Sequence, residues 1–156
     1  LSHVGHGVLI SDRKLPLAER LRQLYQALGD VLSQWQPVEA AVEETFVNKN
    51  PSSTLKLGQA RGVLLLAPAM AGIPVSEYTP NLIKKSVVGT GHAQKAQVAM
   101  MVTTLLPAAG NVTDDAADAL AVAICHAHLR RNQQIMAQVA KNEEKAGPNR
   151  RQGVGP

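Results

Sequence analysis

The chain has 156 residues, a net charge of +4 and a pI of about 9.5, which fits a single basic domain with an apolar core. Apolar residues form 45% of the sequence, which excludes the class of wholly disordered proteins. The single cysteine excludes an intramolecular disulfide, the first residues lack a signal-peptide pattern, and no apolar run reaches the length of a membrane span, so we predict a cytoplasmic protein.

Predicted strands and helices alternate along the chain, which is typical of a layered α/β domain, here placed over residues 1–140. A loose alternation of apolar residues over 4–10 predicts a first strand. Apolar residues then recur at helical spacing over 17–35 and predict an amphipathic helix. The short apolar run over 39–42 predicts a buried strand that presents Glu43 at its C-terminal end.

The rest of the chain continues this alternation. We expect a polar loop over 45–51, followed by a helix that is capped by Ser52 or Ser53, runs to Met70 and stops at Gly72. A strand over 74–78 and a basic loop over 84–91 come next. Two helices follow, one over 92–106 and a final one over 114–138 that is capped by Thr113. The charged, glycine-containing residues 141–156 are predicted to form a disordered basic tail.

Charge is distributed unevenly along the sequence. Between Asn48 and Lys95 there are six basic residues and only one acidic residue, Glu77. Most of the other acidic residues lie in two groups on either side, around Glu43 and around Asp115. A nuclease needs this arrangement, because cations bind phosphates and carboxylates bind the metal. An ordinary solvated surface of mixed charge explains the same composition.

Two aspartates at the start of the final helix are candidate metal ligands. Asp115 and Asp118 are three residues apart, so they share one face, where a divalent cation would relieve their repulsion. Acids in a first helical turn also stabilise the helix dipole without any metal. The same stripe continues through Val122 and Cys125, which favours a face turned towards the core. Together with Glu43, the pair offers three hard oxygen ligands suited to Mg²⁺ or Mn²⁺.

Three further features have candidate functions. Phe46 is the only phenylalanine and lies in a polar loop, where its ring can either stack on an unpaired base or act as a hydrophobic staple for the next helix. Gly58 and Gly62 leave one surface of that helix nearly bare, which permits close approach by another helix. His126 and His128 are two residues apart on a helix and do not face each other, which argues against a shared metal site.

Four segments are together similar to the signature segments of the RuvC family of Holliday junction resolvases. They are AVEETFVNK at 41–49, LKLGQARG at 55–62, VVGTG at 87–91 and DAADALA at 115–121. The resemblance runs in order from Leu1 to about His128. It implies an RNase H-like mixed sheet flanked by helices, and a metal-dependent endonuclease that cuts four-way DNA junctions in recombination and repair.

The resemblance also assigns roles to individual residues. It implies that Glu43, Asp115 and Asp118 hold two Mg²⁺ ions, which Mn²⁺ can replace, and that Lys84 and Lys95 lie near the scissile phosphate. DNA contacts are expected from Phe46, Lys49, Lys56, Arg61, Lys84, Lys85 and Lys95. The family acts as a homodimer, with the helix of Gly58 and Gly62 at the interface, and we expect the branch-migration helicase complex (RuvA and RuvB) as its partner.

The sequence departs from the family pattern in one respect. The family begins with a strand that carries Gly-x-Asp-Pro-Gly, whose aspartate is a further metal ligand, and neither Asp12 nor Asp30 lies in such a segment. Aligning the other segments places Leu1 at the third family strand, so the first two strands are expected to be absent. Two hypotheses follow: an active resolvase, and a catalytically incomplete protein that binds junctions.

Overall fold

The structure, a computed structural model, describes residues 1–44 and 51–146, with the backbone alone at 51–52, 133–134 and 137–146. Its elements are α1 (Leu17–Trp35), β1 (Ala40–Glu43), α2 (Pro51–Met70), β2 (Val75–Tyr78), α3 (Pro80–Val88), α4 (Lys95–Leu105), a 3₁₀ turn (Pro107–Ala109) and α5 (Asp114–Ala146). Helices cover a short sheet, as expected for an α/β domain.

The two strands form a parallel sheet in which Ala40 is opposite Val75 and Glu43 is opposite Tyr78. Parallel strands need a crossover connection, and α2 provides it. Because parallel strands end at the same edge, Glu43 and Tyr78 lie side by side where the sheet stops. Both strands predicted in this region are confirmed, and Glu43 is the last residue of its strand, as predicted.

The core lies between the sheet and a layer formed by α3, α4 and α5. Val102, Ile124 and Cys125 are almost completely inaccessible to solvent, and Ala41 and Tyr78 of the sheet pack against this cluster. By contrast, α1 packs on α2 and contains no fully buried residue. Helices α3, α4 and α5 therefore provide most of the described core, and their packing places the start of α5 against β1.

Residues 4–10 do not form the strand that their alternation predicts. This segment passes α1 instead: Gly5 lies against the Trp35 ring, and Ser11 accepts a hydrogen bond from Arg20 at 3.2 Å. A strand needs a neighbouring strand to satisfy its backbone hydrogen bonds, and neither β1 nor β2 pairs with this segment. Alternation of apolar residues is therefore not sufficient to form a strand here, because no described strand pairs with this segment.

The basic loop predicted over 84–91 is wrong in its first half, because Lys84 lies in α3. The Thr79 side chain caps this helix by accepting a backbone hydrogen bond at 3.3 Å, and Pro80 follows at the first helical position. The helix ends at Gly89, whose φ of 89° is the left-handed conformation that glycine adopts without strain. The helix turns Lys84 towards the C-terminal end of β1.

The other helices differ from the predictions mainly at their first residues. α1 has the predicted bounds, whereas α2 begins at Pro51, so the predicted cap at Ser52 or Ser53 falls inside the helix. α4 begins at Lys95 rather than at residue 92, because the side chains of Gln94 and Gln97 form a capping box just before it. Glutamine is an uncommon N-cap, so the sequence pattern does not predict a helix start at this position.

The C-terminal ends are also informative. α2 stops just before Gly72, which has a φ of 73°, as predicted. α5 continues to Ala146, beyond the predicted end near Gln138. The tail predicted over 141–156 is helical as far as Ala146, and its remaining residues lie outside the described part of the chain. No described helix has both the length and the apolar character needed to cross a membrane.

The burial of α5 gives a stability prediction. Ile124→Ala removes a side chain that is only 2% exposed, so it should lower the free energy of unfolding by about 2–4 kcal/mol. Ile135→Ala on the same helix is the matched control, because that side chain is 51% exposed and its loss should change stability by less than about 0.5 kcal/mol. Urea denaturation measures both, and equal losses would contradict the placement of the core.

Candidate active site

A cavity of about 280 Å³ brings together four charged side chains from four different elements. Glu43 comes from the end of β1, Lys84 from α3, Lys95 from the start of α4, and Asp118 from the start of α5. Apolar residues form the rest of the wall, namely Pro80, Ile83, Val98, Ala121 and Val122. Two carboxylates and two ammonium groups therefore share one concave surface with an apolar floor.

The packing of α5 explains why Asp118 reaches this cavity. Val122 and Cys125, which follow Asp118 on the same helical stripe, are buried in the core. This confirms the prediction that the stripe continues into the protein, and it places Asp118 at the point where the stripe emerges. The Asp118 side chain is about half exposed, which is typical of a group at the rim of a binding site.

Lys95 forms ion pairs with two aspartates of α5. Its Nζ lies 3.3 Å from Oδ2 of Asp118 and 3.6 Å from Oδ2 of Asp114. The hydrogen bond to Asp118 is the largest cause of the raised pKa of Lys95, followed by the charge of the same carboxylate. The pair is exposed and contributes little to stability. Its effect is to hold a positive charge at the Asp118 carboxylate.

The ionised form of Glu43 is disfavoured in the same cavity. Its pKa is raised above the ordinary glutamate value, first because the carboxyl group is partly buried and second because Asp118 is negatively charged. The charge of Lys84 acts in the opposite direction and lowers the pKa of Glu43. The protein therefore holds two carboxylates close enough to repel each other, which is a cost that a bound cation would remove.

The donor set of the cavity fits a hard divalent cation. Carboxylate oxygens are the protein ligands that Mg²⁺ and Mn²⁺ prefer, and the mutual repulsion of Glu43 and Asp118 favours binding of a positive ion between them. Asp115 is exposed and does not line the cavity. Within residues 1–44 and 51–146, no three acidic, histidine or cysteine side chains converge on one metal-sized site. The structure thus joins two of the three predicted ligands.

Arg61 has partners inside the protein. Its guanidinium forms an ion pair with Glu77 of β2, and its Nε donates a hydrogen bond to the backbone carbonyl of Glu43 at 3.3 Å. The side chain is only 23% exposed. Arg61 therefore ties α2 to the C-terminal ends of both strands, a role that the sequence pattern does not indicate. Its predicted contact with DNA stays a prediction.

The remaining predicted residues are distributed over the surface or lie outside the described part. Lys56, Lys85, Gly58 and Gly62 are exposed. Phe46 and Lys49 belong to 45–50, which lies outside the described residues. The four exposed residues do not line the cavity, and the roles of all six stay predictions.

The two histidines of α5 have separate partners. His126 Nε2 lies 2.8 Å from Oε2 of Glu39, whereas His128 Nδ1 lies 3.4 Å from Oγ of Ser86. They do not converge on a common site, as the spacing predicts. The contact of His126 with Glu39 has no counterpart in the sequence analysis. The helical position of His126, four residues from Val122, would have been the only signal for it.

A second cavity, of about 370 Å³, lies beside β1 and is largely apolar. Its walls are Leu28, Leu32, Ala40, Ala41, Val42, Glu43, Leu64, Pro68, Asp118, Ala119 and Val122. In the described structure β1 pairs only with β2, so the other edge of β1 keeps free backbone hydrogen-bonding groups. A further extended segment would find both a backbone partner and apolar contacts here, next to Glu43 and Asp118.

Residues 1–126 match the family model of crossover junction endodeoxyribonuclease RuvC, and this range includes every residue that lines the first cavity. The chain belongs to the RuvC family. Among RuvC proteins, that of Rhodospirillum rubrum is 63% identical over 130 residues, which cover 83% of this chain and 77% of the relative. RuvC of Paramagnetospirillum magneticum is 62% identical over 137 residues, which cover 88% and 82% of the two chains.

A solved RuvC structure has the same fold. RuvC of Thermus thermophilus in complex with a Holliday junction substrate superposes with a TM-score of 0.77 at 34% identity, over 83% of this chain and 79% of that chain. This similarity confirms the RNase H-like α/β fold predicted for the RuvC chain.

The raised pKa of Glu43 gives a prediction for the metal-free protein. Because this pKa is raised in the folded state, the stabilising protonated form is lost as the pH rises from the ordinary glutamate value through the folded-state pKa. Glu43→Gln stays neutral at every pH. Its Tm should therefore exceed that of the parent at neutral pH, by at most about 4 °C, and equal it at about pH 3.

Thermal unfolding followed by circular dichroism in EDTA measures this difference. Glu44→Gln is the matched control, because this neighbouring carboxylate does not line the cavity and should show no such gain. A gain for Glu43→Gln that persists unchanged at acid pH would show that charge at this position is not its cause.

Proposed function

We propose that this RuvC chain is a structure-specific endonuclease that resolves four-way DNA junctions by Mg²⁺-dependent hydrolysis of phosphodiester bonds. The observation that supports this most directly is the convergence of Glu43 and Asp118 with Lys84 and Lys95 in one cavity. The relatives are named as crossover junction endodeoxyribonucleases, and the T. thermophilus protein is bound to a Holliday junction. The proposed setting is the cytoplasm, with RuvA and RuvB as partners on the same junction.

The chemistry divides between the metal and the side chains. Two Mg²⁺ ions, or Mn²⁺ in their place, would activate the attacking water and stabilise the leaving oxygen. Glu43 and Asp118 are the ligands that the cavity offers, and Asp115 is proposed as a third on the evidence of the family resemblance. Lys84 and Lys95, which line the same cavity, would offset negative charge on the phosphate as the bond to water forms.

Lys95 has a specific part in this scheme. It is paired with Asp118 and Asp114 at the edge of the cavity. Because an ammonium group also binds phosphate, Lys95 would pair with the DNA backbone when substrate enters the cavity.

Contacts outside the cavity would bind the DNA backbone. Lys56 and Lys85 are exposed and can reach phosphates, which would make binding dependent on salt. Arg61 is proposed to contact DNA as well, although its guanidinium is already engaged by Glu77. Phe46 and Lys49 are proposed at the junction centre and at its backbone, respectively, from the family resemblance alone.

A second candidate function is binding of four-way junctions without cleavage. The observation that favours it is the pair of carboxylates in the cavity, where the family pattern has further acidic ligands. Binding of a junction with no nicking in Mn²⁺ would support this second function.

Asp118→Asn tests the proposed function. Loss of one metal-binding charge should reduce cleavage of a mobile four-way junction in Mg²⁺ by at least ~100-fold. Junction binding measured by gel shift in Ca²⁺ should stay within about twofold, because phosphate contacts dominate it. Asp114→Asn is the matched control: Asp114 also pairs with Lys95 but lies outside the cavity, so this variant should keep most of the activity.

Three results decide between the hypotheses. Equal cleavage by Asp118→Asn and the parent would reject the metal assignment. Binding by the parent without any nicking would favour the second function. Asp115→Asn in the same assay shows whether the third predicted ligand takes part.

The proposed homodimer has support on the surface of α2. Gly58, Gly62, Leu66 and Met70 follow each other at intervals of four residues, so they form one stripe, and all four are exposed. A side-chain carbon built at either glycine meets no other atom. A stripe that is bare at one end and apolar at the other suits close packing against the same stripe of a second copy.

A large charged side chain in this stripe should break the dimer. Gly62→Arg is expected to shift the protein from dimer to monomer in sedimentation-velocity experiments, whereas Leu57→Arg, at an exposed position about 140° around α2 from Gly62, should leave the dimer intact. Sedimentation of both variants as dimers would exclude this surface as the interface.

A further inference from the structure

A chain of polar side chains crosses the contact between α5 and the sheet. The His126 ring lies between two partners, with Nε2 at 2.8 Å from Oε2 of Glu39 and Nδ1 at 2.7 Å from the Tyr78 hydroxyl. Arg130, one turn further along α5, lies 3.2 Å from the other oxygen of Glu39. We call these residues the Glu39–His126–Tyr78 array, with Arg130 at its outer end.

The array is well satisfied and largely shielded from solvent. The side chains of His126 and Glu39 are 18% and 29% exposed. A carboxylate can only accept, so Nε2 donates to Glu39, and the other nitrogen of a neutral ring accepts a hydrogen bond from Tyr78. Each member thus has at least one directional partner on another segment of the chain. Directional bonds of this kind fix position more sharply than apolar contacts do.

The array and the cavity lie on the same two surfaces. Asp118, Val122 and His126 are four residues apart on α5 and form one stripe, while Glu39, Ala41 and Glu43 alternate on one face of the strand region. Eight residues of helix span about 12 Å and four residues of strand span about 13 Å. The two distances match, so pinning His126 to Glu39 places Asp118 opposite Glu43.

Apolar packing alone defines this register weakly. Between Asp118 and His126 this stripe of α5 buries only Val122 and Cys125, and the strand residue between Glu39 and Glu43 is Ala41, whose side chain is a single methyl group. A methyl group projects too little from the strand to fix the position of a helix along it. A shift of one residue would move α5 by about 1.5 Å and turn it by about 100°, which would carry Asp118 away from Glu43.

We infer that the Glu39–His126–Tyr78 array positions α5 lengthwise on β1, and so sets the separation of Glu43 and Asp118 on which capture of a divalent cation depends. The inference deepens the proposed function and rests on it for the identity of the site. His126, Glu39 and Tyr78 are positioning residues, since none of them lines the cavity.

The experiment compares His126→Leu with His128→Leu in the full chain. His128 is the matched control, because it is on the same helix but contacts only Ser86 among the described partners, at 3.4 Å. The first measurement is Mn²⁺ affinity of the DNA-free protein by isothermal titration calorimetry. His126→Leu should weaken it by ~10-fold or more, as changes in residues that orient metal ligands do, and His128→Leu should leave it unchanged.

A second measurement needs neither metal nor activity. In EDTA, a double-mutant cycle of Glu43→Gln and Asp118→Asn on Tm reports how strongly the two carboxylates interact. The interaction should be present in the parent and in His128→Leu, and absent in His126→Leu. His126→Gln, which keeps a donor near the position of Nε2, should restore part of both the affinity and the interaction.

The outcomes separate the hypotheses. His126→Leu with a lowered Tm but unchanged Mn²⁺ affinity and an unchanged carboxylate interaction would overturn the inference, because the array would then be merely structural. Should His126→Leu fail to fold, Tyr78→Phe, which loses one hydrogen bond and keeps its ring, decides by the same two measurements. A parent that binds no Mn²⁺ rejects the proposed function, while the cycle in EDTA still tests the array.

Discussion

The contact of α5 with the inner face of β1 is the constraint on which the rest of the active site depends. One end of this contact brings Asp118 to Glu43, and the other end joins His126 and Arg130 to Glu39. Four residues of strand and eight residues of helix are nearly equal in length, so two contacts far apart in the sequence determine each other. The cavity is therefore a property of how two elements are aligned, and no single loop forms it.

Electrostatic balance follows from that alignment. Two carboxylates in a partly buried cavity repel each other, which the raised pKa of Glu43 records. Lys84 counters the repulsion at Glu43, whose pKa it lowers, and Lys95 counters it at Asp118 by direct contact. Ammonium groups also bind phosphates, so the same two lysines that balance the carboxylates are suited to the proposed substrate.

Sequence patterns predict most of the framework because they record local rules. Helical spacing gives the bounds of α1, and a short apolar run gives β1 with Glu43 at its end. Rules of this kind fail where a distant partner decides, as for residues 4–10, with which no strand of the described residues pairs. Arg61 illustrates the same limit: its basic character suggests DNA, whereas its position under two strand ends gives it Glu77 as a partner. The basic residues and glycines of 84–91 predict a loop around Lys84, whereas the cap at Thr79 and the proline at the first helical position begin a helix that includes Lys84.

The position of Arg61 has a mechanical consequence. Arg61 is adjacent in sequence to Gly62, which belongs to the stripe proposed to contact a second copy. Its side chain donates a hydrogen bond to the main-chain carbonyl of Glu43. Any assembly built on α2 would therefore transmit its geometry through one guanidinium to the carboxylate-bearing strand end. Two such strand ends would be held at a fixed span, which is the condition for making paired incisions at symmetric points of a branched duplex.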